Sequence, residues 1–210
     1  MGERLTDEQL AAALAALARG SVVAAATETF FGLLADARRS DALDCVFALK
    51  GRHVEKGVAL LLPDADSWPS LVTEIPELAR HLAERFWPGP LTIALPARSN
   101  VDPRLTIDGT VAARWGAPSD ASRIVEAFGA ALTATSANLA GQTPCLTSDA
   151  IATSFPDALR NGHLTLVPGQ APGGPPSTLV AVTRDRVRIV RRGRVDEREL
   201  ARFIAPNALE

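Results

Sequence analysis

Three cations lie close together in the segment KGRHVEKG, residues 50–57. They are Lys50, Arg52 and Lys56, and the sequence contains no other lysine. A guanidinium group can bind two phosphate oxygens at once, and the lysine ammonium groups add compact positive charges, so this combination suits a polyphosphate ligand. The Lys50 and Arg52 side chains are then expected to face solvent. Cations at the end of a predicted helix are also favoured by the helix dipole and are commonly solvated, so both interpretations stay open. The sequence has neither a Walker-type loop nor a G-x-G-x-x-G loop, so a nucleotide would be held by another scheme.

The polar triplet Thr27-Glu28-Thr29 separates two apolar runs, VVAAA and FFGLL. It is either a capped strand end or the rim of a binding site. Arg114 ends another apolar segment, TVAAR. A charge at the end of a buried strand needs a partner or water, and either Glu28 or a substrate carboxylate could supply the partner.

Further polar groups follow predicted strands: Thr135-Ser136-Ala137-Asn138, Ser177-Thr178 and Arg191-Arg192. Ligands of open α/β sheets bind beyond the strand ends, so this distribution indicates a site. TSAN alone is either a turn or a set of donors for phosphate or a nucleobase. FWPGPLT, which contains Trp87, is interpreted as a packed structural corner.

Composition sets the class of protein. The chain has 210 residues, 47% hydrophobic and 22% charged, with a net charge of −2, which gives no global basic field for nucleic acid. Cys45 and Cys145 form no metal-binding or disulfide pattern, and the three histidines have no ligand spacing. The N-terminus has no apolar signal core, and no apolar run reaches the roughly 18 residues of a membrane span. We therefore expect a cytoplasmic protein that does not enter membranes.

Helices and strands alternate along the chain. Thr6 and Gln9 form a capping-box pattern, and Gly20 ends the first helix. Helices are also predicted over 40–51 with Ser40 as the cap, from about Pro76 to Phe86, and over 119–129, 147–155 and 196–205. Strands are predicted over 21–27, 57–63, 91–97, 110–115, 131–138 and 163–169, with a hairpin over 178–193. The pattern predicts one α/β domain over 1–210, with a twisted mixed sheet and flanking helices.

Six segments occur in an order that resembles the YrdC family, the threonylcarbamoyl-AMP synthases, across about residues 8–194. They are ATETFFGL, KGRHVEKG, FWPGPLT, TVAAR, TSANLAG and PSTLV with VRIVRRG. The lysine-arginine segment is closest to the bacterial short, single-domain branch. The resemblance implies a large, positively lined concave cavity, with 195–210 as a C-terminal helix or tail.

The implied reaction joins L-threonine, bicarbonate and ATP into threonylcarbamoyl-AMP and pyrophosphate, the first step of tRNA threonylcarbamoyladenosine modification. Mg²⁺ would accompany the ATP, and the proteins that transfer the product to tRNA would be partners. The family's motifs imply threonine contacts at Thr27, Arg114 and Ser177. They imply ATP contacts at Lys50, Arg52, Lys56, Thr110, Ser136, Asn138 and Arg191. No covalent nucleophile and no protein-bound metal are expected.

Several residues depart from the family pattern. Ala26 and His53 stand where prolines are common, Ala140 replaces a common hydroxyl, and RWGAPSD replaces an R-[IV]-P type of segment. Two alternatives therefore remain. One is an RNA-binding module for tRNA or ribosome maturation, and the other is a paralogue that acts on a different carbamoyl adenylate.

Overall fold

A computed structural model describes residues 5–51, 58–204 and 208–209. The helices of this part are α1 (Asp7–Ala18), α2 (Ser40–Lys50), α3 (Glu77–Phe86), α4 (Asp120–Phe128), α5 (Ser148–Ser154), α6 (Pro156–Arg160) and α7 (Glu197–Leu200). The strands are β1 (Val22–Ala26), β2 (Phe31–Leu34), β3 (Leu60–Leu61), β4 (Leu91–Pro96), β5 (Thr106–Ile107), β6 (Thr110–Arg114), β7 (Leu132–Thr133), β8 (Thr135–Ser136), β9 (Leu164–Leu166), β10 (Thr178–Val182) and β11 (Val187–Arg191).

The strands form two mixed sheets. The smaller has the order β8-β2-β1-β9, and the larger has the order β11-β10-β4-β6-β3-β7, with β5 paired to β6. The sequence predicted the mixed α/β class correctly but a single sheet. The difference arises at residues 132–136, where β7 pairs with β3 in the larger sheet and β8 pairs with β2 in the smaller one. One short segment thus passes from one sheet to the other.

The larger sheet has one apolar face and one face of small and polar side chains. Leu91, Ile93 and Leu95 of β4 lie in the core, as do Val180 and Val182 of β10. Successive side chains of a strand point to opposite faces, so the intervening residues share the other face. On that face the small side chains Ala94, Ala112 and Ala181 line a cavity. Their size leaves room for a ligand above the sheet.

The central strand of the smaller sheet, β1, is buried along its whole length. Val23 and Ala25 pack in a core with α1 and α4, whereas Val22, Ala24 and Ala26 pack in a second core. Both faces of β1 are therefore covered, which explains why its sequence is continuously apolar.

Several predicted boundaries hold. The Thr6–Gln9 capping box is formed, Gly51 ends α2 in the left-handed region, and α3 begins directly after Pro76. The Ser40 cap was wrong by one residue: α2 begins at Ser40, whose hydroxyl accepts a hydrogen bond from Arg104.

Other predicted elements differ in length. Of the strand predicted over 57–63, residue 57 lies outside the described residues, and the described part forms ladder pairs only at Leu60–Leu61. The described helix after 196 ends at Leu200. The sequence reading also missed α6. Short buried runs do not indicate where sheet pairing stops, because neighbouring strands decide it.

Candidate functional site

A cavity of about 610 Å³ lies between the two sheets. Its wall on the smaller sheet includes Thr27, Thr29 and Ser136, and its wall on the larger sheet includes Thr92 and Ser177. The volume falls within the range of small-molecule sites, about 300–1,000 Å³. The expectation of a large concave cavity is confirmed.

Thr27 organises the turn between β1 and β2. Its hydroxyl donates to the Phe30 carbonyl at 2.8 Å and accepts from the backbone N–H groups of Thr29 and Phe30 at 3.1 and 3.2 Å. The hydroxyl oxygens of Thr27 and Thr29 are 3.1 Å apart. These contacts fix two hydroxyl groups at the cavity wall, so the turn and the rim of the site are the same structure.

Arg114 ends β6 and pairs with the Glu28 carboxylate in the β1–β2 turn. The side chains are only 7% and 10% exposed, and the second carboxylate oxygen of Glu28 has no hydrogen-bond partner in the described part of the chain. Burial and then the charge of Arg191 lower the pKa of the Arg114 guanidinium to about 10. Glu28 opposes both effects because a nearby carboxylate favours the charged form. Arg114 thus presents a poorly solvated cation to the cavity.

Arg191 reaches the same cavity because of a β-bulge in β11. The ladder pairs Ala181 with Arg188 and Leu179 with Arg191, with a register shift that leaves Val190 as the extra residue. A regular alternation would turn Arg191 toward the core face beneath the sheet. A bulge re-aims the next side chain, and here it brings Arg191 onto the cavity face beside Arg188.

Arg191 binds the segment before β10. Its Nη2 donates to the Ser177 carbonyl at 2.9 Å and to the Ser177 hydroxyl at 3.0 Å. The Ser177 hydroxyl is also 2.9 Å from the Thr92 hydroxyl. Partial burial lowers the pKa of Arg191. The positive charges of Arg114 and Arg191 repel each other, and the Thr92 and Ser177 hydroxyl groups line the same cavity. An anionic ligand would reduce this repulsion, so the site favours an anion.

Lys50 lies behind the wall that contains Ser136. Its ammonium donates to the Ser136 carbonyl at 2.5 Å and to the Asn138 side-chain oxygen at 3.0 Å. Lys50 is 1% exposed, so the expectation that it faces solvent was wrong. No local pattern indicates this burial, because the acceptors lie 86 and 88 residues further along the chain. The ammonium holds the TSAN turn in place.

Asn138 supports the same turn from within. Its amide donates to the Leu139 and Gln142 carbonyls at 2.8 and 2.7 Å, and its oxygen accepts from the Ser136 hydroxyl at 2.6 Å. Asn138 is buried and, unlike Ser136, is not among the cavity-lining residues.

Thr110 lines the cavity at the start of β6. The turn before it is Asp108-Gly109, with φ of 49° and 72°, a sequence suited to a two-residue hairpin between β5 and β6. The Thr110 hydroxyl donates to the Ile107 carbonyl at 2.7 Å. Asp108 adds a carboxylate to a rim that is otherwise rich in arginine.

The structure brings six predicted site residues around one cavity: Thr27, Thr110, Arg114, Ser136, Ser177 and Arg191. Lys50 and Asn138 lie behind its wall, and Arg52 and Lys56 lie outside the described residues. Sequence reasoning missed Thr92 and Arg188, which also line the cavity. The available signal was their alternation with core residues along β4 and β11.

Within the described ranges, no group of three or more His, Cys, Asp or Glu side chains could hold a metal ion. None of the helices described in the chain has the length and apolar character needed to cross a lipid bilayer.

Comparison with known families gives one match over most of the chain. The Sua5/YciO/YrdC family model, described as "Telomere recombination", matches residues 15–193. A threonylcarbamoyl-AMP synthase of Pyrococcus abyssi is 36% identical over 155 residues, which cover 73% of this chain and 45% of that protein. A threonylcarbamoyl-AMP synthase of Bacillus subtilis is 31% identical over 203 residues, which cover 95% of this chain and 58% of that protein.

A solved structure of P. abyssi Sua5 complexed with L-threonine superposes with a TM-score of 0.89 at 29% identity. The match covers 99% of this chain and 61% of that one. The chain therefore spans roughly half of the length of these relatives.

Proposed function

The chain belongs to the Sua5/YciO/YrdC family, and we propose that it is a threonylcarbamoyl-AMP synthase. In the proposed reaction the amine of L-threonine and bicarbonate give a carbamate and water. A carbamate oxygen then attacks the α-phosphorus of ATP, and pyrophosphate leaves. The product, threonylcarbamoyl-AMP, carries the threonylcarbamoyl group for tRNA modification.

One observation carries the proposal: two arginines and several hydroxyl groups from both sheets line one cavity. Arg114 and Arg191 each line it, and their charges interact. Thr27 and Ser177 lie on its opposite walls. This arrangement supports the binding of a small anion whose oxygen atoms accept hydrogen bonds from hydroxyl groups, such as an amino-acid carboxylate or a carbamate. The relatives named threonylcarbamoyl-AMP synthase support the choice of threonine.

The proposed catalytic contribution is electrostatic and geometric. Two anions, a carbamate and a phosphate, must approach each other, and fixed cations and N–H or O–H donors reduce their repulsion. We assign the threonine carboxylate to Arg114, with Thr27 and Ser177 as further contacts. A cavity between two sheets also limits the access of water to the unstable carbamate.

The nucleotide would lie against the walls that contain Thr110, Ser136 and Arg191, with Arg52 and Lys56 as phosphate contacts. Lys50 contributes from behind Ser136, where its buried ammonium adds positive charge to that wall. Asn138 then acts by holding the turn. We propose that ATP enters as its Mg²⁺ complex, with phosphates and water as the ligands of the ion.

We further propose that the protein works in the cytoplasm and passes its product to proteins that modify tRNA. Binding of tRNA without ATP that weakens steeply as the salt concentration rises would favour the alternative of an RNA-binding module.

Substrate omission tests the proposed function. Purified protein is incubated with ATP, bicarbonate and L-threonine, and pyrophosphate and adenylate product are measured with each substrate left out in turn. Loss of product in every omission supports the synthase. Turnover that persists without threonine would contradict it and would favour a paralogue that acts on another carbamoyl adenylate.

A further inference from the structure

Thr92 is a buried hydroxyl residue in the floor of the cavity. It lies on β4 between the core residues Leu91 and Ile93, so its own side chain is on the cavity face. It is 1% exposed. Valine has nearly the same shape and would fill this position, so packing alone does not explain why a hydroxyl group is present.

The register of the sheet brings Thr92 next to two proposed site residues. β10 lies between β4 and β11, and its Leu179 pairs with Thr92 on one side and with Arg191 on the other. Ser177 is two residues before Leu179 and lies on the same face. Its hydroxyl contacts Thr92 at 2.9 Å and Arg191 at 3.0 Å.

The protons of this network can be counted. A hydroxyl group has one proton and two lone pairs, and a guanidinium group only donates. Arg191 therefore uses one lone pair of Ser177. One of the two hydroxyl protons lies between Thr92 and Ser177. The other has no acceptor within the described part of the chain, so the pair offers it to the cavity.

We propose that Thr92 is a positioning residue for the substrate carboxylate. Its hydrogen bond fixes the position of the Ser177 hydroxyl, and the pair then donates its remaining proton to an anionic acceptor. Arg191 polarises the same hydroxyl, which makes it a stronger donor. Arg114, which lines the same cavity, supplies a positive charge for this carboxylate. This role rests on the proposed function, because the acceptor it assigns is the carboxylate of L-threonine.

The test compares Thr92→Val, which removes the hydroxyl, with Thr92→Ser, which keeps it. The KM values for L-threonine and for ATP are measured separately. Thr92→Val is expected to raise the KM for threonine about tenfold, the loss of one hydrogen bond to a charged group, with the KM for ATP unchanged. Thr92→Ser is expected to restore the threonine KM, which a mere packing role would not do.

A double-mutant cycle with Ser177→Ala separates action through Ser177 from an independent effect. In the Ser177→Ala background, Thr92→Val is expected to change the threonine KM by less than about twofold. Full additivity, failure of Thr92→Ser to rescue, or an unchanged KM in Thr92→Val would overturn the positioning role alone. A wild-type protein without threonine-dependent turnover would overturn the proposed function and, with it, this role.

Discussion

Glu28 and Arg114 form a buried ion pair that joins the two sheets at the cavity wall. Glu28 belongs to the turn of the smaller sheet, and Arg114 ends a strand of the larger one. Removing one partner of such a pair leaves a buried charge without compensation. The pair therefore couples the stability of the fold to the orientation of a proposed substrate contact.

Glu28→Gln is expected to lower the free energy of unfolding by about 3 kcal/mol, because the Arg114 cation loses its buried counter-charge. Urea denaturation measures the change. Glu84→Gln, at an exposed position of α3, is the matched control and is expected to change stability by less than about 0.5 kcal/mol. Equal effects of the two substitutions would contradict a buried structural pair.

The pH dependence of threonine binding should reflect Arg114. Its pKa of about 10 lies below the ordinary 12.5, so its charge is lost at lower pH in the folded protein than in the unfolded chain. Between these values the unfolded chain binds more protons, and this group makes stability increase with pH. The affinity for the threonine carboxylate changes in the opposite direction to stability. It is expected to fall as the pH rises through about 10, because Arg114 loses its charge.

Glu28→Gln provides the comparison for that profile. Glu28 favours the charged form of Arg114, whereas Arg191 and burial disfavour it, so the variant should lose threonine binding at a lower pH than the wild type. The titration of threonine's own amine is common to both proteins. Superimposable profiles of kcat/KM for threonine would show that Arg114 does not control the alkaline limb.

Deletion of Val190 tests the bulge in β11. Without the extra residue, Arg191 follows Ile189 directly, and regular alternation keeps it opposite Leu179 on the cavity face, so the deletion variant is expected to keep most of its activity. Arg191→Ala is the comparison and should lower kcat/KM about 100-fold, as expected for losing charge-assisted hydrogen bonds. Val190→Ala keeps the bulge and is expected to retain activity. The steady-state rates of these variants are compared, and a deletion variant as inactive as Arg191→Ala would refute the placement of Arg191 opposite Leu179.

Lys50→Met should affect both stability and nucleotide use. The substitution removes the ammonium that binds the Ser136 and Asn138 oxygens, and the free energy of unfolding is expected to fall by about 2 kcal/mol. The KM for ATP should rise as the turn loses its support. Ser136→Ala is the companion variant: it should raise the KM for ATP with a smaller loss of stability. A Lys50→Met protein as stable as the wild type would contradict the supporting role.

The sequence predicted the parts of the fold that depend on local signals. The capping box at Thr6 and Gln9 and the glycine after α2 fix helix ends through neighbouring residues alone. The division of strands between two sheets depends on the path of residues 132–136, which no local pattern indicates.

The candidate site shows the same limit. The resemblance to a known family indicated Arg114, Ser177 and Arg191 by motif, and the structure brings them to one cavity. The burial of Lys50 depends on acceptors distant in sequence, and the position of Arg191 depends on a bulge. The sequence does not indicate Thr92 as a site residue, because threonine, like other β-branched residues, is common in strands.

The most direct test uses ¹³C-bicarbonate with ATP and L-threonine, followed by mass spectrometry of the adenylate product. The account predicts threonylcarbamoyl-AMP that is one mass unit heavier than the unlabelled product, made by the wild type and lost in Arg114→Ala. A labelled adenylate that forms equally well without threonine, or an Arg114→Ala variant with full activity, would contradict it.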